Sequence, residues 1–271
     1  MITSTGNPLI KQVRSLRQCK VRRAAGLCYA EGLRIVAEAI HLGAELEMLL
    51  VAPELLVSEF GLGLVQEAHK RGLPVIEVSE SVFKSIALKE GPQGLAAVVR
   101  QRWHLLESIS GEKEALWVAL SEVADPGNLG TILRTADAVG AKGIILLDDT
   151  TDPYDPTAIR ASMGAVFSQM LVRCSFQAFA VWKAKNGFSL VGTSDKAEKA
   201  YRQVKYPERL ILLMGSERHG LTEEQWRLCD VVVRIPMIGR SDSLNLAVAT
   251  GIVLYEIFHQ RYGVNTERQP I

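Results

Sequence analysis

The chain has 271 residues, 48% of them hydrophobic, and carries 31 Lys and Arg against 30 Asp and Glu. That length suits one or two domains with a substantial core, and a formal net charge of +1 excludes nucleic-acid binding by bulk charge, so any basic surface is local. Cys19, Cys28, Cys174 and Cys229 are scattered, with neither a CxxC pair nor a Cys/His cluster, which argues against a structural zinc site or a disulfide framework and fits reduced thiols in a cytoplasmic protein.

The opening MITSTGNPLIKQVRSLRQ lacks the apolar core of a secretory signal. No uncharged apolar run reaches about 18 residues, so no membrane span is expected. Asn7-Pro8 suits a helix start. Lys11, Arg14, Arg17, Lys20, Arg22 and Arg23 then follow before the first acidic residue, Glu31. Lys11, Arg14 and Arg17 recur at helical spacing. Charge this one-sided repels itself unless it meets an anion, for which RNA phosphate is the obvious candidate; the alternative is a solvated helix.

Strands are expected at 27–30, 46–51, 74–78 and 94–99, and helices at 33–41, 55–69 and 82–88. Their alternation implies an α/β domain with a largely parallel or mixed sheet. Arg34, at a strand-to-helix turn, either reaches RNA or pairs with Glu31 or Glu38. Residues 101–114 mix charges with Ser and Gly and read as a linker, with Trp103 packed at the junction rather than stacked on a base.

Beyond the linker come a strand at 116–120, a turn-rich loop, a helix at about 129–139 stopped by Gly140, and a strand at 143–147. Asn128 can cap that helix. Arg134, six residues on, either points back toward the loop or pairs with Asp137. An acidic loop at 148–156, a helix at 157–162 and an apolar stretch at 165–172 follow. Further strands are expected at 188–193 and 210–214, with a polar exposed segment at 196–202 between them. The second of these strands enters the loop from Gly215 to Leu221. Thr222-x-x-Gln225 is a capping-box pattern. Glu217 is available to orient a hydroxyl or amine, or is simply solvated; His219 is expected to be exposed. A last buried strand at 231–235 meets a tight loop at 236–242 and a helix opened by Ser243 as N-cap. A buried strand whose loop opens on a helix N-terminus is where α/β proteins bind ligands. Ser-His-Asp, paired-carboxylate and metal-ligand spacings are missing, and no G-x-G-x-x-G follows the first strand of either half, which argues against a dinucleotide oxidoreductase.

Three segments in order carry a resemblance: Asn128-Leu-Gly130-Thr-Ile-Leu-Arg134, Leu213-Met-Gly215-Ser-Glu217-Arg-His-Gly220-Leu221, and Ile235-Pro-Met-Ile-Gly239-Arg-Ser-Asp-Ser243-Leu-Asn245. Together they resemble the motifs of the SpoU/TrmH family of RNA ribose 2′-O-methyltransferases, in the SPOUT superfamily. Tyr29-Ala-Glu31-Gly-Leu-Arg34 and Pro92-Gln-Gly94 are similar to that family's substrate-binding domain. The resemblance implies an α/β fold class: a small ribosomal-protein-like RNA-binding domain (1–100), a linker (101–114) and a C-terminal trefoil-knot SPOUT methyltransferase domain (115–271). It implies S-adenosylmethionine as cofactor, held around Met214, Gly215, Ile235, Met237 and Leu244, with no metal. It implies Arg134 as the central catalytic residue, with Asn128, Glu217, Ser243 and Asn245 orienting it, the substrate and the cofactor, and a homodimer whose active site combines two subunits. Lys11, Arg14, Arg17, Arg22 and Arg34 are the candidate RNA contacts. The expected substrate is 23S-type ribosomal RNA; the alternatives are tRNA, or a non-catalytic RNA-binding protein that kept the fold.

Overall fold

The structure is a computed structural model that describes residues 1–109 and 114–263. Residues 110–113 of the expected linker and 264–271 of the expected second domain lie outside the described residues. The first elements are α1 (Pro8–Ser15), α2 (Cys19–Ala25), β1 (Leu27–Glu31), α3 (Leu33–His41), β2 (Leu46–Val51) and α4 (Glu59–Lys70). Then come β3 (Val75–Glu77), α5 (Glu80–Ile86), β4 (Leu95–Arg100), β5 (Ala115–Ser121), α6 (Pro126–Ala138), β6 (Gly143–Leu147) and α7 (Pro156–Ser162). The rest is β7 (Met170–Cys174), α8 (Phe176–Asn186), β8 (Ser189–Thr193), β9 (Lys199–Ala200), β10 (Arg209–Met214), α9 (Glu223–Leu228), β11 (Val231–Arg234) and α10 (Leu246–Tyr262).

The chain forms two compact units. One combines Met1–Arg102 with Asp152–Ser168, and the other combines Trp103–Thr151 with Gln169–Ile271. The exchange at 152–168 departs from the expected continuous domain over 115–271: α7 and its flanks pack with the first unit, where α7 lies against β1.

In the first unit, β4 runs antiparallel between β1 and β2, and β3 adds parallel to β2. Ile10, Leu16, Tyr29, Leu50, Phe83 and Val98 pack in its core. The expected basic helix is two short helices. Asn7 caps α1, its Oδ1 accepting the Leu9 N–H at 2.9 Å with Pro8 in the first turn. Their separation turns Arg22 inward, and its assignment as an RNA contact is corrected here. Arg22 is fully buried; its guanidinium meets Asp152 at 2.7 Å and Asp155 at 3.0 Å, and its Nη1 donates to the carbonyls of Leu16 and Arg17. A planar fork with five donors suits this enclosed double carboxylate. The acidic loop thus neutralises part of the basic run. Arg14 is half-buried, donating to Ser85 Oγ at 2.8 Å and so tying α1 to α5. Arg17 is exposed but donates to the Ala87 carbonyl at 2.7 Å. Lys11 and Arg34 are exposed, and Arg34 makes neither of the ion pairs weighed for it among the described residues.

The second unit is built on seven parallel strands in the order β7-β6-β5-β10-β8-β11-β9. A parallel sheet is covered on both faces, which is why 143–147 and 210–214 read as unbroken apolar runs. Trp117, Ile145, Phe179, Trp182, Leu190 and Ile211 pack together in its core. Helix α8 has no counterpart among the expected elements. Phe179 and Trp182 are buried while Val181 is exposed, so its apolar residues encircle it and mark no single stripe. Trp103 is exposed rather than packed, with the Arg173 guanidinium 5.1 Å over its ring. No helix among the described residues is long and apolar enough to cross a membrane.

Burial pushes the Cys174 thiol up to about 11 and the Cys229 thiol up to about 12, with Asp148 and Asp230 respectively adding to the rise. Cys28 is fully buried and raised further. The thiolate is the nucleophile, so raising a thiol's pKa slows its reaction at a given pH. Titration of the native protein with a disulfide reagent at pH 8 is therefore expected to leave Cys28, Cys174 and Cys229 slow, and all four cysteines fast after denaturation. Rapid reaction of three thiols in the folded protein would contradict this packing.

Candidate active site

Strands β8, β10 and β11 run parallel, so their carboxyl ends lie at one edge of the sheet, and a cleft of about 1,070 Å³ opens there. From β5 the strand order runs outward through β6 on one side and through β10 on the other. Such a reversal separates the loops that follow adjacent strands and leaves a crevice between them.

The loops after β5 and β10 meet through Glu217. Its Oε2 accepts the Ala124 N–H at 3.0 Å, and its Oε1 accepts the Asp125 N–H at 3.4 Å and the Asn128 side-chain amide at 3.2 Å. Glu217 is therefore neither simply solvated nor free. Its charge sits beside the N-terminus of α6, where unpaired N–H groups favour an anion. The cap of α6 is Asp125, whose Oδ1 accepts the Asn128 N–H at 2.9 Å, and Pro126 fills the first turn. Asn128 is thus not the cap, which corrects the capping role expected of it. Relieved of capping, its side chain bridges: Nδ2 donates to Glu217 and Oδ1 accepts from Asn245 Nδ2 at 2.9 Å.

Asn245 in turn caps α10. Its Oδ1 accepts the N–H groups of Ala247 at 2.9 Å and Val248 at 3.2 Å. The expected cap, Ser243, lies two residues earlier in the exposed loop, its Oγ 3.5 Å from the Asp242 carboxylate. Serine and asparagine cap helices about equally well, so the choice falls to whichever side chain reaches the free N–H groups. Ser243 lines the cleft instead.

Gly215 opens a tight return. Ser216 and Gly220 exchange backbone hydrogen bonds at 3.1 and 3.0 Å, and a Cβ on Gly215 would lie 2.2 Å from the Gly220 carbonyl. Met214, Ile235, Met237 and Leu244 line the cleft with it. Met237 and Leu244 are more than a third exposed, as is Trp226 on the same wall. Exposed apolar side chains gathered in a concavity mark a ligand surface. Thr193 and Ser194, at the end of β8, add hydroxyls to it. Neither these two, nor Trp226, nor Asp125 was expected. The strand-end rule points to Thr193 only once β8 is known to neighbour β10, and strand order is not a local property of the sequence.

Asn128, Glu217, Ser243 and Asn245 therefore gather at the cleft, together with the apolar candidates. Arg134 does not. It is exposed on α6, outside the lining of the cleft, and makes no ion pair with Asp137, which accepts from Gln169 Nε2 at 3.4 Å. His219 is exposed, as expected.

Residues 115–255 match the SpoU rRNA Methylase family, and residues 7–97 match the MRM3-like substrate binding domain. An uncharacterized tRNA/rRNA methyltransferase of Synechocystis is 32% identical over 98% of this chain and 96% of its own. The 23S rRNA (uridine(2479)-2′-O)-methyltransferase of Streptomyces viridochromogenes is 30% identical, covering 92% of this chain and 88% of its own. The AdoMet-bound rRNA methyltransferase from Sinorhizobium meliloti superposes with a TM-score of 0.87 at 39% identity, over 96% of this chain and 97% of that one.

Proposed function

Because this chain belongs to the SpoU rRNA methylase family, we propose that it is an RNA ribose 2′-O-methyltransferase that uses S-adenosylmethionine and acts on large-subunit ribosomal RNA in the cytoplasm. The observation that carries this reading is the hydrogen-bonded frame Glu217–Asn128–Asn245, which links all three motif segments at the mouth of the cleft. The full-length relative that methylates a 23S ribose favours ribosomal RNA over tRNA.

The cleft fits the cofactor. Met237 and Leu244 offer an apolar slot for an adenine, while Gly215 lets the main chain come close. Bound there, S-adenosylmethionine supplies a methyl group already activated on a sulfonium. Transfer replaces the O–H of the ribose by O–CH₃, so the chain must align the hydroxyl and let its proton leave. Arg134 takes the substrate role: it grips the neighbouring phosphate and polarises the 2′-hydroxyl, the proton passing to water. Arginine stays protonated in proteins and is a poor base. Asn128, Glu217 and Asn245 hold the loops in register, and Ser243 faces the bound ligands.

A homodimer completes the site. Arg134 lies outside the cleft of its own chain, and α10, packed on α6, exposes Val248, Tyr255 and Tyr262. A second copy seated there would carry its Arg134 to the partner's cleft, and analytical ultracentrifugation is expected to give two chains.

The test is a methyl-transfer assay with labelled S-adenosylmethionine on total ribosomal RNA and total tRNA. Label is expected in ribosomal RNA, in an alkali-resistant dinucleotide. Label confined to tRNA would move the substrate, and cofactor binding with no label in naked RNA or ribosomal particles would leave the non-catalytic reading. Gly215→Ala is expected to lower cofactor affinity at least about tenfold, because the added methyl forces the 215–220 return open. Calorimetry showing wild-type affinity would refute that.

A further inference from the structure

A second cleft, of about 160 Å³, lies wholly within the first unit. It is smaller than the roughly 300–1,000 Å³ of pockets for whole ligands and suits one ring. Its floor comes from β1. Tyr29 and Glu31 are two residues apart and share a face of the strand. Both residues are more than nine-tenths buried, and Tyr29 Oη and Glu31 Oε1 have no hydrogen-bond partner among the described residues. The other carboxylate oxygen, Glu31 Oε2, accepts the Leu88 N–H at 2.6 Å, which fixes the group and leaves Oε1 spare. Burial pushes the Glu31 carboxyl above the usual carboxylate range, against the pull of the Leu88 N–H and of Lys89, Arg17 and Arg160.

Two orphaned polar atoms on one strand face, both from residues lining one cleft, are rare in native interiors and call for a partner. The surroundings say which kind. Arg34, Lys89 and Arg160 line the cleft, all exposed and none in an ion pair among the described residues. An anionic strand would lie across those cations while a neutral ring with N–H donors entered between them. Tyr29, Glu31, Arg34 and Lys89 fall within the region similar to a substrate-binding domain, while Arg160 comes from beyond it.

We infer that this cleft receives one unstacked base of the RNA substrate, whose amino group donates to Glu31 Oε1 and to Tyr29 Oη, while Arg34, Lys89 and Arg160 hold the flanking phosphates. Proteins read unpaired RNA by such splayed-out bases, and a carboxylate acceptor selects amino-bearing bases over uracil. The inference rests on the proposed RNA substrate.

The experiment is fluorescence anisotropy of the full-length protein with a short uridine-rich single strand in which one position is changed to adenosine, cytidine or guanosine. An amino-bearing base is expected to tighten binding about tenfold. Glu31→Gln should reverse that ranking, because the amide keeps an acceptor for Leu88 and turns a donor toward the carbonyl of uracil. Arg160→Ala should weaken every strand alike and flatten the salt dependence. On ribosomal RNA, Glu31→Gln should raise KM with kcat and cofactor affinity unchanged. Wild-type protein that does not rank the bases, or Glu31→Gln that keeps the wild-type ranking, would overturn the inference and leave the orphaned atoms to a buried water. Methyl transfer that proceeds without any base ranking sinks the cleft alone. A base ranking without methyl transfer to any RNA sinks the proposed reaction and spares the cleft.

Discussion

Arg134→Ala is expected to lower kcat for methyl transfer by about 10²–10³-fold, the range seen when one preorganised charge-stabilising donor is removed. Cofactor affinity and thermal stability should stay at wild-type values, because Arg134 is exposed, outside the lining of the cleft, and makes no ion pair among the described residues. Arg134→Lys separates the two roles open to the residue. A lysine keeps the charge but not the planar fork that grips a phosphate and a hydroxyl together, so it should recover part of the lost rate. A base would instead leave its own ionisation in the pH–rate profile, which is expected to show none from this residue. Because Arg134 stands outside its own cleft, co-expressing Arg134→Ala with Glu217→Ala should restore activity that neither variant shows alone. Mixed dimers would carry one site free of both changes. Full activity in Arg134→Ala, or no restoration in verified mixed dimers, would remove Arg134 from the reaction or the partner from the site.

Arg22→Ala is expected to destabilise the protein by about 3–5 kcal/mol, the usual consequence of removing one partner from a buried ion pair. Asp152 is left buried without its counter-charge, and the carbonyls of Leu16 and Arg17 lose a donor. Urea unfolding should register this as a lower midpoint at unchanged slope. The exposed cations behave otherwise: replacing Lys11, Lys20 and Arg23 together should leave stability within about 1 kcal/mol while weakening RNA binding and its salt dependence. Stability of Arg22→Ala equal to wild type would mean that the buried pair contributes nothing.

Elements whose cause is local were legible. The helix at 33–41 and the strands at 46–51 and 143–147 have the bounds their apolar patterns imply. Gly140, with φ of 74°, follows the last turn of α6, and Thr222 and Gln225 form the capping box their spacing announces. What was not legible depends on partners far along the chain. Nothing near Arg22 shows that two carboxylates 130 and more residues away will enclose it. At the site, the motif segments bring Asn128, Glu217, Ser243 and Asn245 to one cleft, but two helix caps differ from those expected. Asp125, beside a proline, outcompetes Asn128 for α6, and Asn245 outcompetes Ser243 for α10, because capping depends on angles that composition does not encode. Hydrophobic periodicity likewise identifies strands without their neighbours, so a cleft made by strand order stays hidden until the sheet is assembled.

The passage of 152–168 into the first unit has a consequence for synthesis. As the chain emerges from the ribosome, the first hundred residues appear complete, with every strand of their sheet already made. Arg22 is not yet neutralised, since Asp152 is added 130 residues later. At about 5–20 residues per second that delay is on the order of ten seconds. During it the nascent unit carries an uncompensated cation where its interior will be, and it can close only after β5, α6 and β6 have been made. The first unit therefore finishes folding only after the opening part of the second, up to Thr151, has been synthesised, and a fragment ending near residue 102 would remain in that waiting state.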